Sequence, residues 1–391
     1  MEAGKFHKAV EDLLDAFRER ADRCEQDRKV PDESIEALLD SGVLRALQPA
    51  RFGGLEVEPV DFYEAASRIG EHCASTAWVT GILAVHSWQL GLFPDLAQQA
   101  VWADDPTALI SSSYAPTGKI EVVDGGYRVS GRWNFSSGCQ HARWVFLGGI
   151  VPDGPKTWGG LPDIRTFLLP EADYRIEDTW HTAGMIGTGS HDIVVDGAFV
   201  PEHCTLPFAN LVTNECEGWE VNSAPLFRAP FAAIFVNCLA APAIGNARRA
   251  LEVYTDRCRA KVERAAGRRD PLDPPAQVIV AESVADLDGV GLQRRHNLEE
   301  MMAYVRRDET IPVDRRARYR WDAGRAACVS ADVCSRIFDA GGGRGIFLSE
   351  PLQRAFRDAR VMAVHAYTQR DKAARVYGRA ALGYGFKDYL L

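Results

Sequence analysis

Hydrophobic and polar residues alternate along this chain in three different ways, and each way predicts a different kind of structure. Over residues 1–105 apolar positions such as Phe6 and Val10 fall three and four residues apart, which places them on one helix face. Over residues 106–215 short runs rich in Val, Thr, Ser and Gly are separated by turn sequences, a pattern typical of β-strands. Over residues 216–391 helical spacing returns in long segments. We therefore predict three domains with these bounds.

The hydrophobic pattern also indicates how each domain is built. The segment "ASTAWVTGILAVHSWQLGLF" in the first domain is apolar nearly all round, which predicts a helix buried on most sides. The middle domain contains "VVDGGY", a hairpin signal, and its several short strands predict a small barrel or sandwich. The third domain holds four long helical segments, which predict a four-helix bundle. The predicted fold class is α+β.

Composition and charge restrict the partners and the compartment. The chain is 46% hydrophobic and 25% charged, with a formal net charge of −9, which indicates a globular protein without the basic surface of a nucleic-acid binder. The N-terminus lacks the apolar segment of a signal peptide, and no window approaches a membrane span of about 18 apolar residues. Nine cysteines without a CxxC pair indicate reduced thiols. We expect a cytoplasmic protein with no membrane partner.

Three common kinds of site are not supported by the motifs. The nearest matches to a dinucleotide-binding GxGxxG motif, residues 184–192 and 340–345, lack the final glycine or follow a helix instead of a strand. His181 and His191 have no cysteine or further histidine at metal-ligand spacing. The "SSG" at 136–138 is no nucleophile elbow. We therefore expect no bound nicotinamide, no metal and no serine nucleophile.

Short polar motifs and two histidines remain as candidates, and each has an ordinary structural explanation. "ISSSYAPTG" (110–118) and "WNFSSG" (133–138) offer hydroxyls where a strand meets a turn, which simple turn capping would explain. The glycine cluster at 341–345 would let the backbone approach a phosphate, but it also suits a plain interhelical loop. His86 and His365, both among apolar neighbours, could be buried with satisfied hydrogen bonds or could serve as acid–base groups.

The order of three segments along the chain resembles that of the acyl-CoA dehydrogenase superfamily. The segments are "YRVSGRWNFSSGCQHARWVFLGG", "TAGMIGTGSHDIVVDGAFVP" and "GGGRGIFLSEPLQRAFRDAR". The resemblance spans essentially the whole chain. It implies an N-terminal helical domain, a middle β domain and a C-terminal four-helix bundle, with a flavin between the β domain and the bundle. It also implies a homotetramer or homodimer.

One substitution separates this chain from the dehydrogenases of that superfamily. Those enzymes commonly carry their catalytic glutamate in a "YEGT"-like segment, whereas the matching segment here is "HAYT", with His365 and Ala366 in the first two positions. Without that carboxylate, proton abstraction next to a thioester lacks its usual base. The motifs are instead similar to the oxygenase components of two-component flavin hydroxylases, such as those acting on p-hydroxyphenylacetate or on secosteroid phenols.

This resemblance implies roles for individual residues. His365 matches an active-site histidine, and His86 and Ser112 match positions that hold a phenolic oxygen of the substrate. Ser137, with its neighbour Ser136 as a rival, matches the hydroxyl at the reactive ring nitrogen of the flavin. The remaining candidate contacts to the cofactor are Trp133, Ser113, Gly342, Gly343 and Arg344.

These roles imply a reaction that needs an external source of electrons. A separate NAD(P)H-dependent reductase would supply reduced FAD or FMN by diffusion, and dioxygen would convert it to a flavin hydroperoxide that hydroxylates an electron-rich phenol, indole or polyketide-type ring. His365 would act as the base that activates the substrate. Two alternatives stay open at this point: N-oxygenation of an amino sugar, and an FAD-dependent acyl-CoA dehydrogenase.

Overall fold

A computed structural model describes residues 3–157, 160–264 and 274–384 of the chain. Helices come first, a run of strands follows, and long helices complete the described part of the fold. The N-terminal helices are α1 (Ala3–Glu11), α2 (Leu14–Glu19), α3 (Ala21–Gln26), α4 (Asp32–Asp40), α5 (Pro59–Gly70), α6 (Ala74–Leu90) and α7 (Asp95–Trp102). The strands are β1 (Ile110–Val123), β2 (Gly126–Ser136), β3 (Trp144–Ile150), β4 (Ile164–Pro170), β5 (Arg175–Glu177), β6 (His191–Pro201) and β7 (Thr205–Pro207). The later helices are α8 (Phe208–Thr213), α9 (Phe231–Arg264), α10 (Pro274–Arg306), α11 (Val313–Ala340), α12 (Pro351–Ala363) and α13 (Arg370–Ala381).

The strands form one sheet in the order β5-β6-β2-β1-β3-β4-β7, and β1 joins its two halves. The first part of β1 pairs in parallel with β3, with Ser112 opposite Phe146. After an irregularity between Ser113 and Gly118, its second part pairs antiparallel with β2. A strand that changes partners in this way bends the sheet. The bend leaves Ser112 and Ser113 at the end of β1 that faces the helices.

The segment predicted to be buried on most sides is α6, and every residue of this helix is buried. It packs against α5 and α9 on one side and contacts β1 on the other. The helix therefore lies between the sheet and the bundle, where an apolar surface all round is stabilised by burial. Residues on its sheet-facing side are available to line a site between the two domains.

One helix is long and apolar enough to cross a membrane by length and composition alone. It covers Phe231–Lys261 within α9, has a mean hydropathy of 1.2 and is 94% buried by the surrounding protein. It packs against α5, α6 and α11. A central helix of a bundle meets the same criterion, and this burial accounts for its composition.

The last predicted bundle helix is interrupted, which differs from the sequence prediction of one continuous segment. α12 ends at Ala363, and α13 begins only at Arg370. Between them, the Thr368 hydroxyl bonds to the Met362 carbonyl at 2.9 Å and lies 3.0 Å from the His365 carbonyl. These hydrogen bonds hold a tight turn in place of continued helix. His365 therefore lies in a connection between two helices.

Candidate active site

A pocket lies where β1 and β2 meet α6, α9 and the connection between α12 and α13. Its wall is formed by aromatic rings and neutral polar groups. The lining residues are Trp78, Ile82, Ser112, Ser113, Tyr114, Ala115, Asn134, Phe135, Ser137, Phe235, His365, Ala366 and Tyr367. The structure thus brings four sequence-predicted residues, Ser112, Ser113, Ser137 and His365, into one pocket from three separate parts of the chain.

His365 is half-buried in this pocket, with its ring held between two aromatic side chains. Its ring centroid lies 5.7 Å from that of Trp78 and 5.9 Å from that of Tyr367. The Tyr367 backbone N–H donates a hydrogen bond to Nδ1 of His365 at 3.3 Å. Burial lowers the pKa of His365 to about 4, so the ring is neutral at physiological pH. Because Nδ1 accepts a hydrogen bond, the neutral ring carries its proton on Nε2.

The Ser137 hydroxyl reaches the pocket next to Trp78. The Trp78 indole Nε1 donates to Ser137 Oγ at 3.1 Å, and Ser137 Oγ lies 2.8 Å from the hydroxyl of Ser190. Its neighbour Ser136 is fully buried and does not line the pocket. Of the two rival serines, Ser137 is the one that a ligand in this pocket can contact.

Ser112 and Ser113 line the pocket from the end of β1. The Ser113 hydroxyl donates to the Asn134 carbonyl of β2 at 2.7 Å. That hydrogen bond fixes the neighbouring strand end on which Phe135 lies. Phe135 has φ of 68°, a left-handed conformation that is rare for an aromatic residue, and its ring is largely exposed at the pocket. Backbone strain of this kind concentrates at functional sites.

His86 lies behind the pocket wall and does not line the pocket. It is fully buried, and its Nδ1 donates to the Ile110 carbonyl at 2.7 Å. Its Nε2 is buried without a hydrogen-bond partner among the described residues. Its ring centroid is 6.0 Å from that of Tyr114, which does line the pocket. His86 can therefore reach a substrate oxygen only through Tyr114 or a bridging water.

Trp133 was predicted to contact the cofactor, but the structure places it inside the β domain. It is fully buried, and its indole Nε1 donates to the Gly148 carbonyl at 2.8 Å. Its ring fills the space next to Gly118, where an added Cβ would lie 1.9 Å from the ring. Trp133 does not line the pocket. Its position is that of a core residue.

The glycine cluster was also predicted to contact the cofactor, and it too lies away from this pocket. Gly342 and Gly343 lie before α12, whereas His365 follows it. The helix has 13 residues, so the two ends are about 20 Å apart. The Arg344 side chain is 84% exposed and pairs with Glu350 at 2.8 Å. Within one chain these residues do not reach the ring-lined pocket.

No carboxylate is present among the described residues that line the pocket. Ala366 occupies the position where dehydrogenases of the superfamily commonly carry their glutamate. The nearby Asp358 on α12 is buried, where it accepts the Met185 backbone N–H, and burial raises its pKa to about 6. This carboxylate ties α12 to the loop before β6. Over residues 3–157, 160–264 and 274–384, no three His, Cys, Asp or Glu side chains cluster as metal ligands.

The aromatic wall of the pocket was not predicted from the sequence. Trp78, Tyr114, Phe235 and Tyr367 come from four different elements and surround the pocket. Tyr367 could have been predicted, because it belongs to the "HAYT" segment that carries His365. Trp78 carries no such signal, since every residue of α6 is buried and the helix has no polar face that would show which side meets the pocket.

Comparison with known proteins agrees with this geometry. The family model "Acyl-CoA dehydrogenase, C-terminal domain" matches residues 237–370. The crystal structure of 3-HSA hydroxylase from Rhodococcus sp. RHA1 superposes with a TM-score of 0.93 at 38% identity, covering 99% of each chain. The predicted α+β, acyl-CoA dehydrogenase-like fold is therefore confirmed.

Curated relatives define the family more narrowly. The flavin-dependent monooxygenase oxygenase subunit HsaA of Rhodococcus jostii (strain RHA1) is 39% identical over 381 residues, which is 97% of this chain and 98% of that protein. The oxygenase component of the FADH(2)-dependent resorcinol hydroxylase of Rhizobium sp. (strain MTP-10005) is 35% identical over 385 residues, 96% of this chain and 93% of that protein. The chain belongs to the family of flavin-dependent monooxygenase oxygenase subunits.

The pocket has the chemistry that a flavin ring requires. Trp78, Phe235 and Tyr367 offer apolar ring surfaces, and Ser137 offers a hydroxyl oxygen at the pocket edge. Aromatic side chains favour stacked or edge contacts with planar ring systems. The residues present therefore fit an isoalloxazine ring, which Ser137 and the backbone around Phe135 would hold through polar contacts.

Proposed function

We propose that this chain uses reduced FAD or FMN, delivered by a separate NAD(P)H-dependent reductase, and dioxygen to hydroxylate an electron-rich aromatic ring. The observation that carries the proposal is a pocket that combines an imidazole and hydroxyls with aromatic walls and lacks a carboxylate. When bound, reduced flavin supplies the electrons that activate dioxygen for transfer of one oxygen atom. The protein residues bind and orient the ring and exclude water.

His365 would hold the substrate through a hydrogen bond. Since Nδ1 accepts the Tyr367 amide hydrogen, Nε2 carries the proton and is the nitrogen available to a substrate oxygen. If His365 acted through Nε2 as the base predicted from the sequence, its own proton would have to lie on Nδ1. The Nδ1–H would then face the Tyr367 N–H, which is unfavourable. We therefore expect His365 to donate a hydrogen bond to a phenolic oxygen from Nε2. Such a bond orients the ring for attack.

Ser112 and His86 would assist at the same end of the substrate. Ser112 lines the pocket on the strand that leads to Tyr114, and Tyr114 donates its hydroxyl hydrogen to Gln89. The His86 ring lies 6.0 Å from the Tyr114 ring, and its Nε2 has no hydrogen-bond partner among the described residues. A substrate hydroxyl near Ser112 would thus meet a wall with both donors and acceptors, which suits a phenol more closely than an acyl thioester.

An oxygen-consumption assay tests the proposed function. The protein is combined with a generic flavin reductase, NADH and FAD or FMN, and phenols, indoles and amino sugars are supplied in turn. We expect coupled product with a phenol or an indole. Product from amino sugars alone would favour N-oxygenation, and reduction of the bound flavin by acyl-CoA without oxygen would favour a dehydrogenase.

Replacement of His365 tests its role in this reaction. His365→Ala should leave the affinity for reduced flavin close to wild type, while product per NADH falls several-fold and free hydrogen peroxide rises. His365→Gln keeps a donor near the position of Nε2 and serves as the matched variant, with partial recovery expected. Coupling at the wild-type ratio in His365→Ala would refute the role.

We further propose assembly as a homodimer or homotetramer. Ile346, Phe347 and Leu348 follow one another in the loop before α12, and their side chains are 67%, 62% and 80% exposed. Consecutive exposed apolar side chains favour a protein–protein contact. Native mass measurement of the wild type and of Phe347→Ser tests this proposal, with a smaller species expected for the variant.

A further inference from the structure

Three hydroxyl groups form a chain that runs from the pocket into the protein. Ser137 Oγ lies 2.8 Å from Ser190 Oγ, and Ser190 Oγ lies 2.7 Å from Thr188 Oγ1. Thr188 Oγ1 in turn donates to the Met185 carbonyl at 2.9 Å. Each of the three residues is at most 8% exposed. The chain therefore links the pocket edge to a fixed backbone acceptor, and solvent does not interrupt it.

The carbonyl at the inner end determines the direction of every hydrogen bond. A carbonyl oxygen can only accept, and each hydroxyl has one hydrogen to donate. Thr188 uses its hydrogen on the Met185 carbonyl, so its oxygen accepts from Ser190. Ser190 then has no hydrogen left for Ser137, and Ser137 must donate to Ser190. The Trp180 indole at 2.9 Å and the Thr188 backbone N–H at 3.2 Å also donate to the Met185 carbonyl, so this oxygen acts only as an acceptor.

This direction decides what Ser137 can offer to the pocket. Its single hydrogen is used on Ser190, and one lone pair of its oxygen accepts the Trp78 N–H at 3.1 Å. No other hydrogen bond to the Ser137 oxygen is present among the described residues, so its remaining lone pair faces the pocket as an acceptor. If every hydroxyl in the chain donated in the opposite direction, the lone pairs of Thr188 Oγ1 and of the Met185 carbonyl oxygen would face each other, which is unfavourable in a buried site.

We infer that Ser190 and Thr188 are positioning residues that make this pocket selective for reduced flavin. The inference rests on the proposed function and on Ser137 lying at the reactive ring nitrogen. That nitrogen carries a hydrogen in reduced flavin and donates it, whereas in oxidised flavin it has only a lone pair. An acceptor-only Ser137 bonds to the reduced ring and repels the oxidised one. An oxygenase that receives reduced flavin by diffusion and must release the oxidised form needs this preference.

The test measures the affinity for both redox states of the same cofactor. Wild type and variants are titrated anaerobically with dithionite-reduced FAD and separately with oxidised FAD, followed by tryptophan fluorescence. Ser190→Ala removes the acceptor of the Ser137 hydrogen, which can then turn into the pocket. We expect weaker binding of reduced FAD, tighter binding of oxidised FAD, and a fall of about tenfold in the ratio of the two affinities.

Matched variants separate this role from a general loss of structure. Ser136→Ala removes a buried hydroxyl that has no hydrogen-bond partner among the described residues, and it should leave the ratio unchanged. Ser190→Thr keeps the hydroxyl and should restore the preference. In a Ser137→Ala background, Ser190→Ala should have no further effect on the ratio. Thr188→Val should also lower the ratio of the two affinities, because it removes the acceptor of the Ser190 hydrogen and lets Ser190 donate to Ser137 instead.

The outcomes distinguish the inference from the proposed function. If wild type binds neither form of FAD or FMN, the proposed function fails. If wild type binds reduced flavin but Ser190→Ala and Thr188→Val both keep its affinity ratio within about twofold, the inference is overturned while the proposed function stands. A wild type without preference for reduced flavin also overturns the inference.

Discussion

Acidification should destabilise this protein through His86, although this histidine lies outside the pocket. His86 is fully buried between aromatic rings, with centroids at 6.0 Å (Tyr114) and 5.8 Å (Phe146). Nδ1 is already protonated to bond the Ile110 carbonyl, so a second proton would have to go to Nε2, which has no hydrogen-bond partner in the described part of the chain. Burial lowers the pKa of His86 from 6.5 to about 4. The folded protein therefore resists protonation that the unfolded chain accepts.

The sign and size of the effect follow from proton linkage. Between pH 6.5 and 4 the unfolded state binds a proton that the folded state does not, so the free energy of unfolding falls as the pH falls. Stability from the neutral ring is fully present above pH 6.5 and is lost towards pH 4. With these two pKa values, the His86 contribution lost between pH 7.5 and 5.0 is about 2 kcal/mol.

Urea unfolding of His86→Asn and wild type at both pH values measures this contribution. Asparagine keeps a donor for the Ile110 carbonyl and has no proton to gain, so the variant should lose about 2 kcal/mol less than wild type on acidification. His296→Asn, at an exposed position, is the matched control and should behave as wild type. Equal losses in wild type and His86→Asn would refute the reasoning. So would NMR spectra of the folded protein in which the His86 imidazole itself titrates near pH 6.5.

Two further predictions concern the contact between α12 and the loop before β6. Gly184→Ala would place a Cβ 2.4 Å from the Arg357 carbonyl oxygen, and we expect it to lower the free energy of unfolding by more than about 2 kcal/mol. Gly343→Ala is the control: no atom lies within 4 Å of its added Cβ, so it should change the free energy of unfolding by less than about 0.5 kcal/mol. Asp358→Ala leaves the buried Met185 N–H without its acceptor and should cost about 1–3 kcal/mol in the same measurement, whereas Asp358→Asn, which keeps an acceptor oxygen, should cost less.

The elements that depend on local periodicity could be predicted from the sequence. The apolar segment beginning at Phe231 was predicted as a long helix, and α9 covers Phe231–Arg264. The serines at strand ends were predicted as site residues through the family resemblance, because turn capping alone would also explain hydroxyls at those positions. Ser112 and Ser137 do line one pocket. That these segments meet at one site was inferred from the family resemblance, because the spacing of residues along the chain does not give the distances between them in the folded protein.

The parts that could not be predicted depend on contacts between distant segments. Trp78 belongs to a helix with no polar face, so nothing in its pattern shows which side meets the pocket. Trp133 lies three residues before Ser136 in the same motif, but its side chain turns into the β domain, because Gly118 on the adjacent strand leaves room for its ring. Alternation along a strand permits either face, and the space across the sheet decides between them.

The interruption between α12 and α13 connects a wrong prediction to the chemistry of the site. In a continuous helix the Tyr367 N–H would bond to the Ala363 carbonyl, four residues back. Because the helix ends at Ala363, that N–H instead donates to Nδ1 of His365, at 3.3 Å. The break therefore sets the tautomer of this pocket histidine and leaves its ring proton on Nε2. A continuous fourth helix would have kept His365 in the sequence but removed the backbone donor that defines its role.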